Sequence, residues 1–348
     1  MGPFKISVLI TYYNQEQYVD ECLASVFNQV TDFDFKIIVG DDGSTDNTIY
    51  KVKEWEKKYP GRISLITQPR VVNKKYIAGS RASRNRIALM KQIDTPYFIF
   101  LDGDDYWTDV NKLQIQYDTL EKKENFDCVA CAHQIRMFHE NDPSKVFYFP
   151  DNNFKEKYKV SKWGLKQYWK KLYFHTDTLL FRSDYNNKLN YDLLDEMFND
   201  NIIAFAFLQF GKFIFLPLLM TDYRQNNNGI WAGETSMVSV VRNFMDYDIE
   251  LKINKSIKKI ITQRHLENFE VFLKNPDSFK NIPSDYLCIA EKYELPVTTN
   301  ILKNQLLFSD SINKDRKKVK LLKYRFDFIK NLKNKIKKLM GKYGRREN

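Results

Sequence analysis

Long apolar runs, a secretory signal and a dense set of cysteines are all missing from this sequence of 348 residues. No stretch approaches the run of about 18 apolar residues that a membrane-spanning helix needs. The amino terminus, MGPFKISVLIT, has no basic start followed by an apolar segment and a small-residue cleavage site, so we expect no secretory signal. Four cysteines are too few for a disulfide scaffold, and they indicate a reducing compartment, the cytoplasm.

Excess positive charge is missing from most of the chain, although the formal net charge is +11. Residues 312–348 contain 15 Lys and Arg against three acidic residues, whereas the rest of the chain has 40 basic and 41 acidic residues. A nucleic-acid-binding domain usually carries a basic face of its own. Because the body of this protein is nearly neutral, we expect no nucleic-acid partner.

Apolar runs and helical patterns alternate along the first hundred residues. Short runs rich in branched side chains predict strands buried on both faces, and apolar residues at helical spacing predict helices between them. The predicted strands cover residues 4–10, 35–39, 63–67 and 97–101, followed by looser ones at 129–136, 145–149, 178–181 and 213–216; the early helices cover 15–29, 44–58 and 79–93. This alternation indicates a mostly parallel, doubly wound α/β sheet.

Polar residues follow three of the predicted strands, at residues 11–14, 41–45 and 102–105. Ligands bind beyond the carboxyl ends of strands in such sheets, so we expect these segments to meet at one edge. The carboxylates of the last segment, LDGDD, repel one another unless screened, and such clusters suit Mg²⁺ or Mn²⁺. A solvated turn is the alternative. No GxGxxG follows the first strand, which argues against a nicotinamide cofactor.

Four motifs, in order and at matching spacing, resemble those of the family 2 glycosyltransferases. They are SVLITYYNQEQYVDECLASVFNQ at the first strand and helix, IIVGDDGSTDNT at the second strand, Ser83-Arg84-Asn85, and FIFLDGDDYW, which looks like the family's DxD segment. The resemblance implies the GT-A fold, a Rossmann-like, mostly parallel sheet flanked by helices. It also implies an inverting transferase that uses a nucleotide-sugar donor.

The resemblance also implies a nucleotide site. Thr11 and Tyr13 would contact the nucleotide, with Tyr13 near the base. Asp42 would hydrogen-bond the base, which in the family is usually uracil; an ordinary turn followed by a helix N-cap is the alternative for this segment. Arg84 would lie beside the base or the diphosphate.

A divalent metal, Mn²⁺ or Mg²⁺, is the cofactor that the resemblance implies. Asp102 would reach the ribose or the metal, and Asp104 would ligate the metal that bridges the diphosphate. Such an ion neutralises the charge that develops on a departing nucleoside diphosphate.

A general base must accept the proton of the acceptor hydroxyl. The family places it in a Glu-Asp pair eleven residues before the Gly-Lys that opens a strand. The resemblance assigns this role to Asp200, since Gly211 opens the matching strand, and Asn199 stands where the family has Glu. Asp195 and Glu196 are the alternatives, each of which would otherwise belong to a solvated helix face.

Three further residues are candidates for the acceptor or diphosphate side of the site. His175 lies in a polar segment like one in related sequences and would line the acceptor pocket, with a structural histidine as the alternative. Arg224 and Trp231 flank an Asn-rich loop after the last core strand. Arg224 would reach the diphosphate and Trp231 would stack on a sugar if this loop closes over the donor; otherwise the loop is a surface linker.

The domain organisation follows from these patterns. We expect a GT-A domain at residues 1–225, a helical extension at 226–311 and a basic tail at 312–348. The tail has apolar residues at helical spacing with lysines around them, which is typical of a helix on an anionic membrane surface. Contact with nucleic acid, a coiled-coil partner helix and a disordered tail are the alternatives.

The expected activity is transfer of a hexose or N-acetylhexosamine from a UDP-sugar to a hydroxyl of a glycan or lipid-linked saccharide. The acceptor would belong to a bacterial surface glycan such as lipooligosaccharide or capsule, and the protein would act in the cytoplasm, peripherally on the inner face of the membrane. A sugar-phosphate nucleotidyltransferase and a catalytically silent scaffold are the two alternatives. The first would need a Gly-rich, Arg-bearing loop after the first strand, and Thr11-Tyr12-Tyr13-Asn14 does not supply one.

Overall fold

The computed structural model describes residues 3–70, 79–150, 159–165, 174–194, 198–226, 246 and 249–254. The strands are β1 (Ile6–Tyr12), β2 (Phe35–Asp41), β3 (Ile63–Thr67), β4 (Tyr97–Asp102), β5 (Tyr106–Trp107), β6 (Cys128–His139), β7 (Asp142–Phe149), β8 (Ser161–Trp163), β9 (Leu180–Arg182) and β10 (Lys212–Gln225). The helices are α1 (Val19–Phe27), α2 (Thr48–Lys58), α3 (Ser80–Met90), α4 (Lys112–Glu121), α5 (Tyr191–Leu194) and α6 (Asp200–Leu208).

The chain divides into two compact units, Met1–Ala232 and Gly233–Asn348. All of the strands above belong to the first unit. Most of the predicted helical extension, the whole basic tail and Trp231 lie outside the described residues. Within the ranges that the structure describes, no helix is both long and apolar enough to cross a membrane.

One mixed sheet of ten strands organises the first unit, in the order β3-β2-β1-β4-β9-β6-β10-β5, with β7 paired to β6 and β8 to β10. The first four strands in this order are parallel to one another, as the alternating sequence pattern predicted. Strand β9 enters antiparallel between β4 and β6, and β10 is parallel to β6. The parallel half therefore carries the motifs of the first hundred residues.

Two predicted elements have different bounds in the structure. Helix α1 begins at Val19 rather than Gln15 because residues 14–16 bind the neighbouring loop through their backbone N–H groups, and Asn14 has a left-handed φ of 49°. Strand β10 continues past the predicted end at Leu216 to Gln225. Shifts in its register with β6 after Leu216 accommodate Pro217, which cannot donate a ladder hydrogen bond.

Apolar side chains pack on both faces of the sheet. On one face, residues of β1, β2 and β4 such as Val8, Val39 and Ile99 are fully buried together with Leu23 of α1. A second cluster of aromatic rings packs beside β4, β9, β10 and α6, and its members are Phe98, Phe181, Phe207 and Phe213. Each such side chain contributes about 1.5–3 kcal/mol through burial, so the sheet is a rigid base for the loops at its carboxyl edge.

Candidate active site

The carboxyl ends of β1, β2 and β4 lie side by side, which confirms the prediction that their polar segments meet at one edge. Because β1 is parallel to both neighbours, Thr11 is in register with Gly40 of β2 and with Asp102 of β4. The Thr11 hydroxyl donates a hydrogen bond of 3.2 Å to the Asp102 carboxylate. The three following loops therefore open at the edge where doubly wound sheets bind ligands.

The loops after β1 and β2 are tied together by reciprocal hydrogen bonds. The Asn14 side chain accepts from the Thr45 backbone N–H at 2.8 Å, and the Asn14 N–H donates to Ser44 Oγ at 2.9 Å. The Glu16 N–H donates to an Asp46 carboxylate oxygen at 3.0 Å. Several polar residues of the first two motifs thus satisfy backbone groups of the partner loop, and they fix the shape of this edge.

Asp42 is buried, with only 5% of its surface exposed, and it is paired with two arginines. Arg70 donates to Asp42 Oδ2 at 2.7 Å, and Arg81 forms an ion pair with Oδ1. The Arg70 guanidinium also stacks on the ring of Tyr13, with 3.4 Å between the guanidinium carbon and the ring centroid. Arg84 is exposed on α3, so the arginines that contact Asp42 are ones that the motif comparison did not single out.

A tight turn forms the acidic loop, which we define as residues 102–105. The Gly103 N–H donates to the Thr11 carbonyl at 3.0 Å, and the Asp105 N–H donates to the Asp102 carbonyl at 2.9 Å. A Cβ atom on Gly103 would lie 2.1 Å from the ring of Tyr12, which is far inside contact distance. Only glycine therefore lets the acidic loop pack directly on β1.

Arg86 of α3 joins the acidic loop to the predicted general base. Its Nη2 donates to both oxygens of Asp102 at 2.9 and 3.0 Å, and its Nη1 donates to Asp200 Oδ1 at 3.0 Å. Only 11% of the Arg86 side chain is exposed. Burial alone would lower the pKa of Arg86, but the charges of Asp102 and Asp200 outweigh burial and raise it, so the guanidinium stays charged.

Asp200 is the first residue of α6, where the helix dipole favours negative charge. The Thr176 hydroxyl donates to Asp200 Oδ1 at 3.0 Å. Asn199 is the N-cap, and its side chain accepts a hydrogen bond of 3.1 Å from the Ile202 N–H. Asn is among the best N-cap residues, so Asn199 stabilises the start of the helix that carries Asp200. The alternative bases Asp195 and Glu196 lie outside the described residues.

His175 is buried between two carboxylates. Its Nδ1 lies 3.6 Å from Asp177 and its Nε2 lies 3.5 Å from Asp200. Burial alone would lower the pKa of His175, but Asp200 and then Asp177 raise it to about 9. The raised pKa favours the imidazolium, which would supply positive charge beside Asp200, whereas the Asp177 N–H lies 3.4 Å from Nδ1 and would donate to the neutral ring. The ring packs 4.6 Å from that of Tyr223.

The carboxylates of this site fit a divalent cation. Asp102, Asp105 and His175 each offer one ligand atom, and these atoms lie within 4.8 Å of one another. Burial and the charge of Asp102 raise the pKa of Asp104 to about 6, and burial and the charge of Asp177 raise that of Asp105 further. One Asp105 oxygen is buried with no hydrogen-bond partner in the described part of the chain. A cation would favour the ionised carboxylates.

The carboxylates are better ligands than His175 in this arrangement. A histidine binds metal only in its neutral form, so His175 would first have to release the proton that Asp177 and Asp200 stabilise. The sequence-based interpretation gave the metal to Asp102 and Asp104. The structure brings Asp102 together with Asp105, the last carboxylate of the LDGDD cluster that the sequence offers for a divalent ion.

The Arg224 side chain binds groups of the protein itself. Its Nη2 pairs with Glu21, its Nη1 lies 3.4 Å from a Glu140 oxygen, and its Nε donates to the Asp104 carbonyl at 2.9 Å. The sequence-based hypothesis directed this side chain to a diphosphate, whereas in the structure its three nitrogens bind groups of the chain itself. Sequence reasoning also missed Arg86 and Asp177, because a lone arginine or aspartate outside a motif carries no local signal.

The profile of the family described as "Glycosyl transferase family 2" matches residues 7–189. An uncharacterized protein of Mycobacterium tuberculosis is 26% identical over 228 residues, which cover 65% of this chain and 60% of the relative. The chain thus spans about three fifths of the length of this relative. Escherichia coli WfgD, a UDP-Glc:alpha-D-GlcNAc-diphosphoundecaprenol beta-1,3-glucosyltransferase, is 32% identical over 122 residues, or 35% of this chain and 43% of WfgD.

Solved structures show the same fold. A crystal structure of residues 1–349 of S. aureus TarS in complex with UDP-GlcNAc superposes with a TM-score of 0.56 and 18% identity, covering 86% of this chain and 83% of that chain. The UDP complex of the same TarS fragment gives a TM-score of 0.54 with 18% identity, over 81% of this chain and 76% of that one. From the family match and the shared sheet, the chain belongs to glycosyl transferase family 2 and has the GT-A fold.

Proposed function

We propose that this protein transfers a sugar from a UDP-sugar to a hydroxyl group of a bacterial cell-surface glycan or its lipid-linked precursor, with inversion at the anomeric carbon. The observation that carries the proposal is the bridge formed by Arg86. One guanidinium binds both Asp102, at the proposed donor edge, and Asp200, the proposed general base. A donor-side carboxylate and a base held on one rigid cation are what a single displacement requires, because both must be fixed relative to the anomeric carbon.

The nucleotide would bind at the ends of β1 and β2. The exposed ring of Tyr13 and the buried carboxylate of Asp42 are available for stacking on a base and for accepting its N–H. Arg70 contacts both groups, so a base that binds there would displace this side chain or stack upon it. Thr11 and Arg84 complete the proposed nucleotide site. Family membership and the likeness to TarS, which binds UDP and UDP-GlcNAc, support a uridine nucleotide.

A divalent metal, Mn²⁺ or Mg²⁺, would be held by Asp104 and Asp105 together with Asp102. Such an ion neutralises negative charge on the diphosphate of a departing nucleotide. The chain's own contribution is to place three carboxylates on a short turn whose close packing on β1 leaves little freedom. Arg86 and Thr11 fix the orientation of the Asp102 carboxylate, which would meet the ribose through its remaining lone pairs.

Asp200 would accept the proton of the acceptor hydroxyl. The Thr176 hydroxyl and the Arg86 guanidinium both bind Asp200 Oδ1, which leaves Oδ2 facing His175 and the proposed acceptor side. Arg86 lies 3.0 Å from Asp200 and His175 lies 3.5 Å from it, and nearby positive charge favours the ionised carboxylate that a general base needs before reaction. His175 would thus act on the acceptor side through charge. The names of bacterial relatives, WfgD and a Staphylococcus epidermidis teichoic acid poly(glycerol phosphate) polymerase, support a cell-surface acceptor.

Donor hydrolysis provides the test. The full chain is incubated with a panel of UDP-sugars and MnCl₂, and released UDP is measured. We expect metal-dependent UDP release that falls about 10²- to 10⁴-fold in Asp200→Asn, the range for a lost general base, and that is also lost in Asp104→Ala. Asp192→Asn, an exposed aspartate of the preceding helix, is the matched control and should retain activity.

Three outcomes would contradict this function. Pyrophosphate release from UTP and a sugar phosphate would indicate a nucleotidyltransferase. Binding of UDP without turnover of any UDP-sugar would indicate a silent scaffold. Equal losses of UDP release in Asp192→Asn and Asp200→Asn would contradict the assignment of Asp200 as the general base.

A further inference from the structure

The end of β10 holds the acidic loop through three hydrogen bonds. The Arg224 backbone N–H donates to Asp105 Oδ1 at 2.7 Å, and the Arg224 Nε donates to the Asp104 carbonyl at 2.9 Å. The Asn226 side-chain amide donates to Asp104 Oδ2 at 2.6 Å. These contacts join residues about 120 positions apart, so the last described strand of the sheet is anchored to the turn that carries the carboxylates.

Arg224 is itself fixed from the other end. Its guanidinium pairs with Glu21 of α1 and with Glu140, the residue that follows β6, and only 11% of the side chain is exposed. Three aromatic rings surround it at 4.8 to 5.5 Å from the guanidinium carbon, and they are those of Tyr18, Tyr106 and Phe138. Because β5 also pairs with β10 directly after the acidic loop, neither side of this contact can move alone.

These bonds fix one oxygen of each carboxylate. Asn226 binds Oδ2 of Asp104, and the Arg224 N–H binds Oδ1 of Asp105. The other Asp105 oxygen, Oδ2, is buried and has no donor among the described residues, and the Asp105 carboxyl group lies against that of Asp177. A carboxylate with one oxygen fixed by a donor cannot rotate freely, so its second oxygen points in a defined direction.

We propose that Arg224 and Asn226 are positioning residues that orient Asp104 and Asp105 so that each offers one oxygen to a divalent cation. This inference rests on the proposed function. The charge of Arg224 does not oppose the cation, because two glutamates pair with the guanidinium and its contact with the loop is to a carbonyl. Removal of the Asn226 side chain would free the Asp104 carboxylate to rotate. Removal of the Arg224 side chain would release the backbone of the acidic loop at the Asp104 carbonyl, while the backbone N–H at position 224 would still bind Asp105.

The proposal is tested by titrating the protein with Mn²⁺ in the absence of any sugar donor. Binding is measured as the decrease of the free Mn²⁺ signal in electron paramagnetic resonance. We expect Asn226→Ala and Arg224→Leu to weaken Mn²⁺ binding about 10- to 100-fold, as changes to groups that orient metal ligands do. Two matched controls lose comparable contacts elsewhere. Asn186→Ala removes a hydrogen bond to a backbone carbonyl, and Arg136→Leu removes an ion pair with Asp222; both should bind Mn²⁺ like the wild type.

A structural role alone would lower the thermal stability of Asn226→Ala and Arg224→Leu and leave the Mn²⁺ affinity of the folded protein unchanged, and that result would overturn the proposal. Equal weakening in the two controls would overturn it as well. In steady-state assays the positioning role raises the Mn²⁺ concentration for half-maximal rate, while saturating Mn²⁺ restores most of kcat. A wild-type protein that binds Mn²⁺ tightly, loses it in these variants and releases no UDP would uphold the positioning role and reject the proposed function.

Discussion

Replacing Arg86 with methionine removes a side chain that binds both Asp102 and Asp200. Methionine keeps an unbranched apolar stem of similar reach, so the change deletes the guanidinium and leaves α3 intact. Three hydrogen bonds to carboxylates disappear, at 2.9, 3.0 and 3.0 Å. Asp102 and Asp200 are then left in a largely buried environment with His175 as a neighbouring cation.

The burial of these groups sets the size of the expected loss in the free energy of unfolding. Hydrogen bonds to charged groups contribute about 1.5–3 kcal/mol each, which for three bonds sets an upper range of about 5–9 kcal/mol. The Asp102 and Asp200 side chains are 23% and 15% exposed, so hydration and protonation of the two carboxylates offset part of this loss of stability. Breaking a buried ion pair by removing one partner costs about 3–5 kcal/mol. We therefore expect a loss of about 3 kcal/mol, which lowers Tm by roughly 6–12 °C for a unit of this size.

A double-mutant cycle tests this reasoning. Unfolding by urea is measured for wild type, Arg86→Met, Asp102→Asn and the double variant, with Lys51→Met as the control for an exposed ion pair. The control should lose no more than about 1 kcal/mol. Since the Asn side chain needs no countercharge, the double variant should be more stable than the sum of the single effects by at least about 1 kcal/mol. Additivity within about 0.5 kcal/mol would refute the bridge, as would a loss no larger than that of the control.

Burial lowers the pKa of Lys112 to about 7, whereas a lysine in the unfolded chain has a pKa of about 10.4. Between about pH 7 and pH 10.4 the unfolded chain therefore binds more protons than the folded protein. Because of this difference, the free energy of unfolding rises with pH over this range. Urea unfolding at about pH 7 and about pH 9 should show this gain in wild type and less of it in Lys112→Met, and equal gains would contradict the assignment. Asn199→Ala removes the acceptor of the Ile202 N–H and should cost about 1 kcal/mol in the same assay, while Asn199→Ser should retain most of the stability; identical losses would argue against a cap. For the basic tail, truncation after residue 311 should reduce cosedimentation with phosphatidylserine vesicles and spare UDP release, and unchanged vesicle binding would remove the membrane proposal.

The fold of the first hundred residues was predictable because its determinants are local. Apolar runs of five to seven residues bounded by polar turns specify buried strands, and helical spacing between them forces parallel pairing. Parallel pairing then places the carboxyl ends of these strands at the same edge, so the meeting of residues 11–14, 41–45 and 102–105 was predictable from the sequence. The bounds of α1 were not predictable, because the neighbouring loop binds the backbone of residues 14–16.

The sequence by itself determined which strands form, which edge is acidic and which family the motifs resemble, since each depends on residues that are close in the chain. Only the tertiary structure decided which charges meet. Arg86 pairs with Asp200, 114 residues away, and Arg224 contacts Asp105, 119 residues away. An isolated arginine has the same local pattern whether it faces solvent or a buried carboxylate. Its partner is selected by the packing of strands and helices, and burial then gives the pair its energetic weight.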